Sequence, residues 1–318
     1  MVKSRSFSFS KVMLVLGLLF LYLPMFVLIV YSFNASRLVS VWAGFSTQWY
    51  GELFRDEQIL SAVWMSLRIA FYSASMAVCL GTLCAFVITR FKKMRGRTLL
   101  SSMITAPLVM PEVITGLSLL LLFVQMAQTI GWPVDRGMAT IWIAHTTFCS
   151  AYVAVVVSAR LQEVDRSIEE AAMDLGCTPL KTFFVITLPV IAPALVSGWL
   201  LAFTLSLDDL VIASFVSGPG ATTLPMVVFS SVRMGVSPKI NALATLIIVA
   251  VSLIAFIAWY LMRRAERKRL QTPDASRTAP SSTRRWSAGP SSSRSARERS
   301  FAAGTRASRR CAWAASAG

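Results

Sequence analysis

Charged residues are scarce in this 318-residue chain, and so are the residues that build most catalytic and metal sites. Only 14% of the residues are charged, against about 25% in an average soluble domain, and there is a single histidine. The five cysteines form no Cys-x-x-Cys pair and no cluster with histidine, which argues against a zinc site and a disulfide framework. A Gly-x-x-x-x-Gly-Lys-Ser/Thr loop is also missing, so we do not expect this chain to hydrolyse ATP. We predict no catalytic residue, no metal site and no cofactor bound by the chain itself.

Apolar residues take the place of charge and make up 55% of the sequence. With a mean hydropathy of +0.63, the chain is too apolar for a disordered or an ordinary soluble protein. A membrane-spanning helix needs about 20 mostly apolar residues. Six runs satisfy this requirement: roughly 12–33, 62–89, 99–129, 138–158, 190–216 and 241–262. The sequence therefore predicts an all-α polytopic membrane protein with six transmembrane helices.

The net charge of +16 has two separate origins. Residues 271–318 hold nine arginines and two acids, which leaves +9 for residues 1–270. In that body, Lys and Arg concentrate before the first span, in the loops 90–97 and 160–181, and after the sixth span. Cytoplasmic loops carry such an excess, so we predict that both termini lie in the cytoplasm and that nucleic acid is not a partner.

Composition also divides the chain into three parts. We predict a cytoplasmic N-terminus at 1–11, a transmembrane domain at 12–270 and a disordered basic tail at 271–318. From residue 272 onward there is no Leu, Ile, Val, Met or Lys, so the tail cannot bury a core. An altered reading frame is one explanation of this abrupt change. An arm that binds nucleic acid or anionic lipid is the alternative function for the tail.

The cytoplasmic loop at 159–189 has the strongest local pattern. Ser167 and Glu170 have the spacing of a capping box, which predicts the start of a short helix. Gly176 can end this helix in the left-handed conformation, and Thr178 can cap a second helix. Pro189 lacks a backbone donor and is expected to bend the entry to the fifth span. The loop therefore predicts two short helices joined at a glycine.

The same loop resembles a known family. Glu170-Ala171-Ala172, followed by Gly176 and then by Ile186-x-Leu188-Pro189, resembles the EAA loop of permease subunits from bacterial ABC importers. Segments at 42–46, 106–116, 205–215 and 222–226 resemble polyamine-importer permeases, and the resemblance covers about 12–270. It implies the type I ABC importer permease fold, an inner-membrane location and a coupling helix at 167–176 that is seated in an ATPase subunit. The residues that it assigns to this coupling are Glu169, Glu170, Ala171, Ala172, Gly176, Leu188 and Pro189.

The resemblance also implies the partners and the substrate. It implies a second permease subunit that completes a heterodimer, two ATPase subunits that bind ATP and Mg, and a periplasmic polyamine-binding protein. The outside loops 34–60 and 217–240 are the expected docking surfaces for the binding protein, and lipid surrounds the spans. Putrescine is the expected cargo. The alternatives are an ABC importer permease for another small solute and, from a different class, a self-sufficient channel or secondary transporter.

Three acids, Glu112, Asp208 and Asp209, lie inside the apolar spans. An ionised side chain in the membrane costs at least about 2.5–3.5 kcal/mol, so such residues commonly face a cavity or a charged partner. Carboxylates here would replace the hydration of a diammonium substrate with charge-assisted hydrogen bonds. Aromatic rings can add cation–π contacts, and the available rings are Phe123, Trp142 and Phe203. Pro107 and Pro111 are expected to break the third helix near Glu112, and Gly116 to allow close packing.

Structural roles compete with this interpretation. Neighbouring Asp208 and Asp209 point about 100° apart on a helix, so one of them is expected to face the pathway. The other then pairs with Arg68, Arg233 or a partner subunit, or Asp208 caps the next helix. His145, the single histidine, is expected to be a hydrogen-bonded structural residue.

Overall fold

The computed structural model describes residues 6–37, 41–91, 94–235 and 237–271, and most of this chain is helical. Within these ranges there is no β-strand beyond an isolated bridge between Asn34 and Phe45, which confirms the all-α class. A π-helical turn, Phe183–Thr187, joins the eighth helix to the ninth. The helices in chain order are α1 (Ser6–Tyr31), α2 (Gln48–Leu53), α3 (Glu57–Arg90), α4 (Arg97–Val109), α5 (Glu112–Ile130), α6 (Met138–Glu163), α7 (Arg166–Asp174), α8 (Pro179–Thr182), α9 (Leu188–Asp208), α10 (Val211–Val216), α11 (Leu224–Met234) and α12 (Pro238–Gln271).

Each of the six apolar runs predicted from the sequence coincides with helical structure. Within the described residues, five stretches are long and apolar enough to cross a membrane: Phe9–Tyr31, Glu57–Arg90, Glu112–Ile130, Met138–Glu163 and Pro179–Asp208. The sixth predicted span, 241–262, lies within α12. The third and fifth predicted runs are each divided into two helices by a helix break. The acidic residues of the two runs lie at these breaks.

The third predicted run, 99–129, is two helices rather than one. Helix α4 ends at Val109, and α5 begins at Glu112 after Pro111. Met110 has an extended backbone (ψ 138°), as expected for the residue before a proline. The predicted break near Glu112 is confirmed at Pro111, whereas Pro107 lies inside α4.

The fifth predicted run, 190–216, ends earlier than the apolar pattern indicated. Helix α9 stops at Asp208, and Asp209 has an extended backbone (φ −66°, ψ 123°). The chain then restarts as the short helix α10. The prediction of one helix across this run was wrong because an apolar run does not reveal a cap. Two adjacent acids mark the point where the helix stops.

The described chain forms two compact units, of which Ala62–Met226 is one. Helix α6 is central in this unit and packs against α9, α10 and α4. Small residues let its neighbours approach closely: a Cβ on Gly81 of α3 would lie 2.8 Å from Val153 Cβ in α6. The buried side chains of α6 that form the core include Ile141, Phe148, Cys149, Val153, Val157 and Leu161.

The described residues up to Ser61 and from 227 to 271 form the other unit. Here α12 packs against α1 and α2. Trp49 of α2 is buried, and its indole Nε1 donates a hydrogen bond of 2.6 Å to the carbonyl oxygen of Asn34. Of the predicted cytoplasmic N-terminus at 1–11, residues 1–5 lie outside the described residues, and so does the predicted basic tail at 271–318 except for Gln271.

Candidate functional site

The first short helix of the loop 159–189 has its cap two residues earlier than predicted. Asp165 has an extended backbone and accepts a hydrogen bond of 3.0 Å from the backbone N–H of Ser167 through Oδ1. This hydrogen bond lowers the pKa of the Asp165 carboxyl below its usual value, because it stabilises the charged form. The predicted capping box on Ser167 and Glu170 was wrong, since Asp165 occupies the capping position and Ser167 is already helical.

The two short helices predicted in the loop are confirmed. Helix α7 ends before Gly176, which has a left-handed backbone with φ +86°. Thr178 then caps α8, and its Oγ1 accepts a hydrogen bond of 3.4 Å from the N–H of Lys181. After α8 the chain continues through the π-helical turn into α9. Pro189 is the second residue of α9, within the first turn of the helix, where a missing N–H donor is tolerated.

The two neighbouring glutamates of α7 have different surroundings. Glu169 Oε1 lies 2.7 Å from Arg90 Nη2, and the two side chains are only 14% and 9% exposed. The same Oε1 accepts a hydrogen bond of 3.0 Å from Thr187 Oγ1 in the π-helical turn. Glu170 is exposed. Of the two acids predicted to contact an ATPase subunit, Glu170 is therefore the accessible one, and Glu169 is held within this chain.

The remaining residues predicted for coupling divide in the same way. Ala172 is buried and packs with Cys177 and Ile186, whereas Ala171 on the next position of α7 is exposed. Gly176 and Pro189 are exposed, and Leu188 is half-buried. An exposed outer face of the loop is formed by Glu170, Ala171, Met173, Leu175, Gly176 and Leu180.

Asp209 is a buried capping residue inside the apolar part of the unit. Its Oδ2 accepts a hydrogen bond of 2.8 Å from the N–H of Ala213, and its Oδ1 accepts one of 3.3 Å from the N–H of Ile212. Oδ2 also lies 3.1 Å from His145 Nε2 in α6, and the opposite ring nitrogen Nδ1 lies 2.7 Å from Ser206 Oγ. His145 thus has the hydrogen-bonded structural position expected for it. The cap predicted on Asp208 belongs to Asp209 instead.

Asp208 and Glu112 are exposed, in contrast to Asp209. Asp208 is the last residue of α9, and Glu112 is the first residue of α5. Helices α5 and α10 pack closely, since a Cβ on Gly116 would lie 2.7 Å from Phe215 Cδ2. The close packing predicted at Gly116 is confirmed. Two helix breaks, each with an accessible acid, therefore belong to elements that pack together.

The candidate cation–π residues are in different places. Phe123 is buried in the core, with its ring centroid 6.5 Å from that of Trp132. Trp142 is half-buried. Phe203 lines a cavity of about 570 Å³ together with Trp64, Leu67, Arg68, Phe71, Tyr72 and Met138.

The two arginines proposed as partners of the acids both lie over aromatic rings. The guanidinium of Arg68 lies 4.7 Å from the centre of the Trp64 ring. Arg233 has the same relationship to Phe229, also at 4.7 Å. The structure therefore pairs Asp209 with His145 and gives both arginines a cation–π contact.

Three residues of these sites were not singled out in the sequence. Arg90 counted only as a positive charge at the end of a span, although it is the ion-pair partner of Glu169. Thr187 and Ser206 carried no signal, because each is a small polar residue in an apolar run. Thr187 lies next to Leu188 and Ser206 lies one turn before Asp209, but their roles become evident only when the neighbouring helices that carry Glu169 and His145 are known.

Apolar helices that are broken next to acidic residues are a feature of membrane transport proteins. The model of one family, described as "Binding-protein-dependent transport system inner membrane component", matches residues 77–271. The chain belongs to this family. It is therefore an inner-membrane component of a transport system.

Two curated relatives are similar over most of their length. The chain is 70% identical over 260 residues to the putrescine transport system permease protein PotI of Escherichia coli K12, covering 82% of this chain and 92% of the relative. It is 39% identical over 249 residues to the spermidine/putrescine transport system permease protein PotC of the same strain, covering 78% and 91%.

Two solved structures share the fold. A bacterial ABC transporter that imports the acidic polysaccharide alginate has a TM-score of 0.64 at 18% identity, covering 81% of this chain and 94% of that chain. The methionine ABC transporter MetNI, in inward-facing conformations, has a TM-score of 0.53 at 17% identity, covering 65% and 95%. The importer permease fold expected from the EAA loop is thereby confirmed.

Proposed function

We propose that this chain is the membrane-spanning permease subunit of an ATP-driven putrescine importer, in which it forms half of the translocation pathway. The observation that carries the proposal is the 70% identity to a putrescine permease over 92% of that protein. Identity to the spermidine/putrescine permease is 39%, which favours the smaller diamine as cargo. The helix breaks with accessible acids support the proposal, because a diammonium ion needs carboxylates along its path.

Asp208 and Glu112 are the proposed substrate-facing acids. Both are exposed at the ends of broken helices, and neither makes an ion pair in the described residues. Asp209 has a supporting role in this proposal, because its carboxylate is already engaged by His145 and by the start of α10. Exposed acids next to an acid that is held by other groups of the chain would attract a cation but would not bind it so tightly that it cannot leave.

The outer face of the cytoplasmic loop is the proposed contact with the ATPase. It presents the accessible acids Glu170 and Asp174 next to the small and apolar residues Ala171, Met173 and Leu175. Two ATPase subunits with their bound ATP and Mg, a second permease and a periplasmic polyamine-binding protein complete the proposed importer. Both termini of the chain lie on the cytoplasmic side in this arrangement, because the basic loops do.

Uptake of labelled putrescine by the reconstituted four-component importer tests the proposal. We expect ATP-dependent uptake that requires the binding protein, and a loss of about tenfold or more with Asp208→Asn, since a charge-assisted contact is removed. Asp135→Asn is the matched control, because Asp135 is an exposed acid in an outside loop. Uptake at the wild-type rate in Asp208→Asn would overturn the role of Asp208.

The rival functions give different results in the same system. Another small solute as cargo would show as ATP hydrolysis that is stimulated by a different ligand-loaded binding protein and not by putrescine. A self-sufficient channel or secondary transporter would show as uptake by this chain alone in liposomes without ATP. Either result would overturn putrescine import as the function.

A further inference from the structure

We propose that Glu169 is a positioning residue that ties the coupling helix α7 to the transmembrane helices α3 and α9, so that the three move as one body. This inference rests on the proposed function and assigns the part of the loop that acts inside the permease. Glu169 is held by Arg90, the last residue of α3, and by Thr187, just before the first residue of α9. One carboxylate oxygen therefore joins three helical elements.

A second contact strengthens the same junction. Arg166, the first residue of α7, donates a hydrogen bond of 2.5 Å from Nη2 to the backbone carbonyl of Arg90. This carbonyl is at the C-terminal end of α3, where helix carbonyls lack intrahelical partners and attract positive charge. The side chains thus cross: a basic residue of α7 binds the end of α3, and the basic residue at the end of α3 binds an acid of α7. The crossed pair resists both sliding and rotation of α7.

Burial makes the ion pair costly to break, because the loss of one partner leaves an uncompensated buried charge. The Arg90 and Glu169 side chains are 9% and 14% exposed, so solvent screens their attraction far less than at the surface. Arg160 and Glu163 form a pair of the same length, 2.7 Å, but are 44% and 67% exposed. The exposed pair is expected to contribute little, because water screens it. The chain therefore contains the buried pair of Arg90 and Glu169 and, for comparison, an exposed pair of the same length.

The junction also has unused hydrogen-bonding capacity. Arg90 Nε and Thr182 Oγ1 are buried and have no hydrogen-bond partner within the described residues. Both residues line a cavity of about 340 Å³, together with Glu169 and Glu170. A small displacement of α7 can therefore exchange one hydrogen bond of Arg90 for another without separating the charges. This property suits a joint that must transmit motion and remain intact.

The position of the tie defines what it transmits. Helix α9 runs for 21 residues from Leu188 to Asp208, about 30 Å of helix. Glu169 is thus connected through Thr187 to the helix that ends at the proposed substrate-facing acid. Glu170, one position later, makes no ion pair in the described residues and is exposed, so it remains accessible to a partner. We infer a division of labour: Glu170 contacts the ATPase, and Glu169 delivers the displacement to α3 and α9.

The test measures α7 in the permease and coupling in the importer. In the permease pair without ATPase, we expect Glu169→Gln to raise hydrogen exchange of the 166–174 amides by about tenfold or more, since the buried pair is broken. Glu163→Gln is the control and should leave this exchange unchanged. In the full importer, Glu169→Gln should retain the ATPase subunits while stimulation of ATP hydrolysis by the loaded binding protein is lost.

Rescue separates positioning from simple damage. The double variant Glu169→Arg with Arg90→Glu restores opposite charges at the same site and should recover exchange protection and most of the stimulation. Wild-type exchange and stimulation in Glu169→Gln would overturn the tie. Loss of the ATPase subunits from Glu169→Gln, with exchange of α7 unchanged, would instead assign Glu169 to the ATPase contact. The exchange measurement uses no substrate, so failure of putrescine transport in the wild type would overturn the proposed function alone.

Discussion

His145 Nε2 in α6 lies 3.1 Å from Asp209 Oδ2, and both side chains are almost completely buried. Asp209 also caps α10, so one carboxylate fixes the restart of the chain after α9 and joins it to α6. Ser206 engages the other ring nitrogen of His145. The two neighbouring acids thus have different surroundings: Asp209 holds the helix break together, and Asp208 is exposed.

Asp209→Asn is expected to destabilise the protein, whereas Asp208→Asn is not. Each carboxylate oxygen of Asp209 accepts one N–H of α10, so asparagine keeps one of these hydrogen bonds and turns its NH2 toward the other N–H, which costs about 1–3 kcal/mol. Asp208 is exposed, and its substitution should change the free energy of unfolding by less than about 0.5 kcal/mol. Unfolding of the permease in mixed micelles by denaturant measures both values. Equal losses for the two variants would contradict the assignment of separate roles.

Close packing of α3 on α6 makes Gly81 intolerant of a side chain. A Cβ there would lie 2.8 Å from Val153 Cβ and 2.9 Å from the Ser150 carbonyl oxygen, and backbone cannot move aside easily. Gly81→Ala should therefore cost about 1–3 kcal/mol of unfolding free energy, since the helices must separate.

Gly198 of α9 provides the control for this prediction, because it faces the same residue. A Cβ on Gly198 would lie 3.5 Å from Val153 Cγ1, an ordinary contact distance. Gly198→Ala should be neutral, or stabilising by up to about 1 kcal/mol through the lower entropy of the unfolded chain. The same denaturant measurement compares the two variants. A larger loss for Gly198→Ala than for Gly81→Ala would show that α3 does not approach α6 this closely.

Hydropathy and helix caps predict much of this fold. Several residues that act locally were predicted correctly, whereas pairings between distant residues were not. Pro111, Gly176 and Thr178 act locally, through a missing donor, a left-handed backbone and a side-chain cap, so their roles were predicted correctly. The bonds of Glu169 join residues 79 and 18 positions apart, and those of His145 span 61 positions or more. No local pattern encodes these pairings. For this reason the sequence identified the acids but could not distinguish the engaged from the accessible ones.

The cap of α7 gives a prediction for the acidic pH range. The hydrogen bond from Ser167 lowers the pKa of Asp165 in the folded state, so the charged carboxylate favours folding. This contribution is fully present above the unfolded-state pKa, near about 3.9, and is lost as the pH falls through the lower folded-state value. At pH 7 the cap is therefore complete, and Asp165→Ala should accelerate hydrogen exchange in the first turn of α7.

Asp165→Asn isolates the charge from the cap. Asparagine caps helices about as well as aspartate but does not titrate. Its exchange should match that of the wild type at neutral pH, and the two proteins should diverge only below about pH 3.9. Exchange in Asp165→Ala that equals the wild type at pH 7 would mean that the Asp165 cap does not stabilise α7.

Asn34 is expected to hold in place the loop that follows α1. Its buried side chain accepts hydrogen bonds from the N–H groups of Ser36 (3.2 Å) and Ala43 (3.0 Å) and donates one of 2.7 Å to the carbonyl of Val41. Asn34→Ala removes all three and should cost about 1–3 kcal/mol locally, because backbone groups lose their partner. Hydrogen exchange of the 41–50 amides should therefore rise.

Gln48→Ala is the control for Asn34→Ala, because the Gln48 side chain is exposed and makes one hydrogen bond of 3.0 Å to the Ala35 carbonyl. Its exchange should remain close to that of the wild type. If the loop at 34–60 docks the binding protein, stimulation of ATP hydrolysis in the importer should fall in Asn34→Ala and persist in Gln48→Ala. If hydrogen exchange of the loop rises in Asn34→Ala but ATP hydrolysis is still fully stimulated, the binding protein docks on a mobile loop. This result would show that docking does not require an ordered loop.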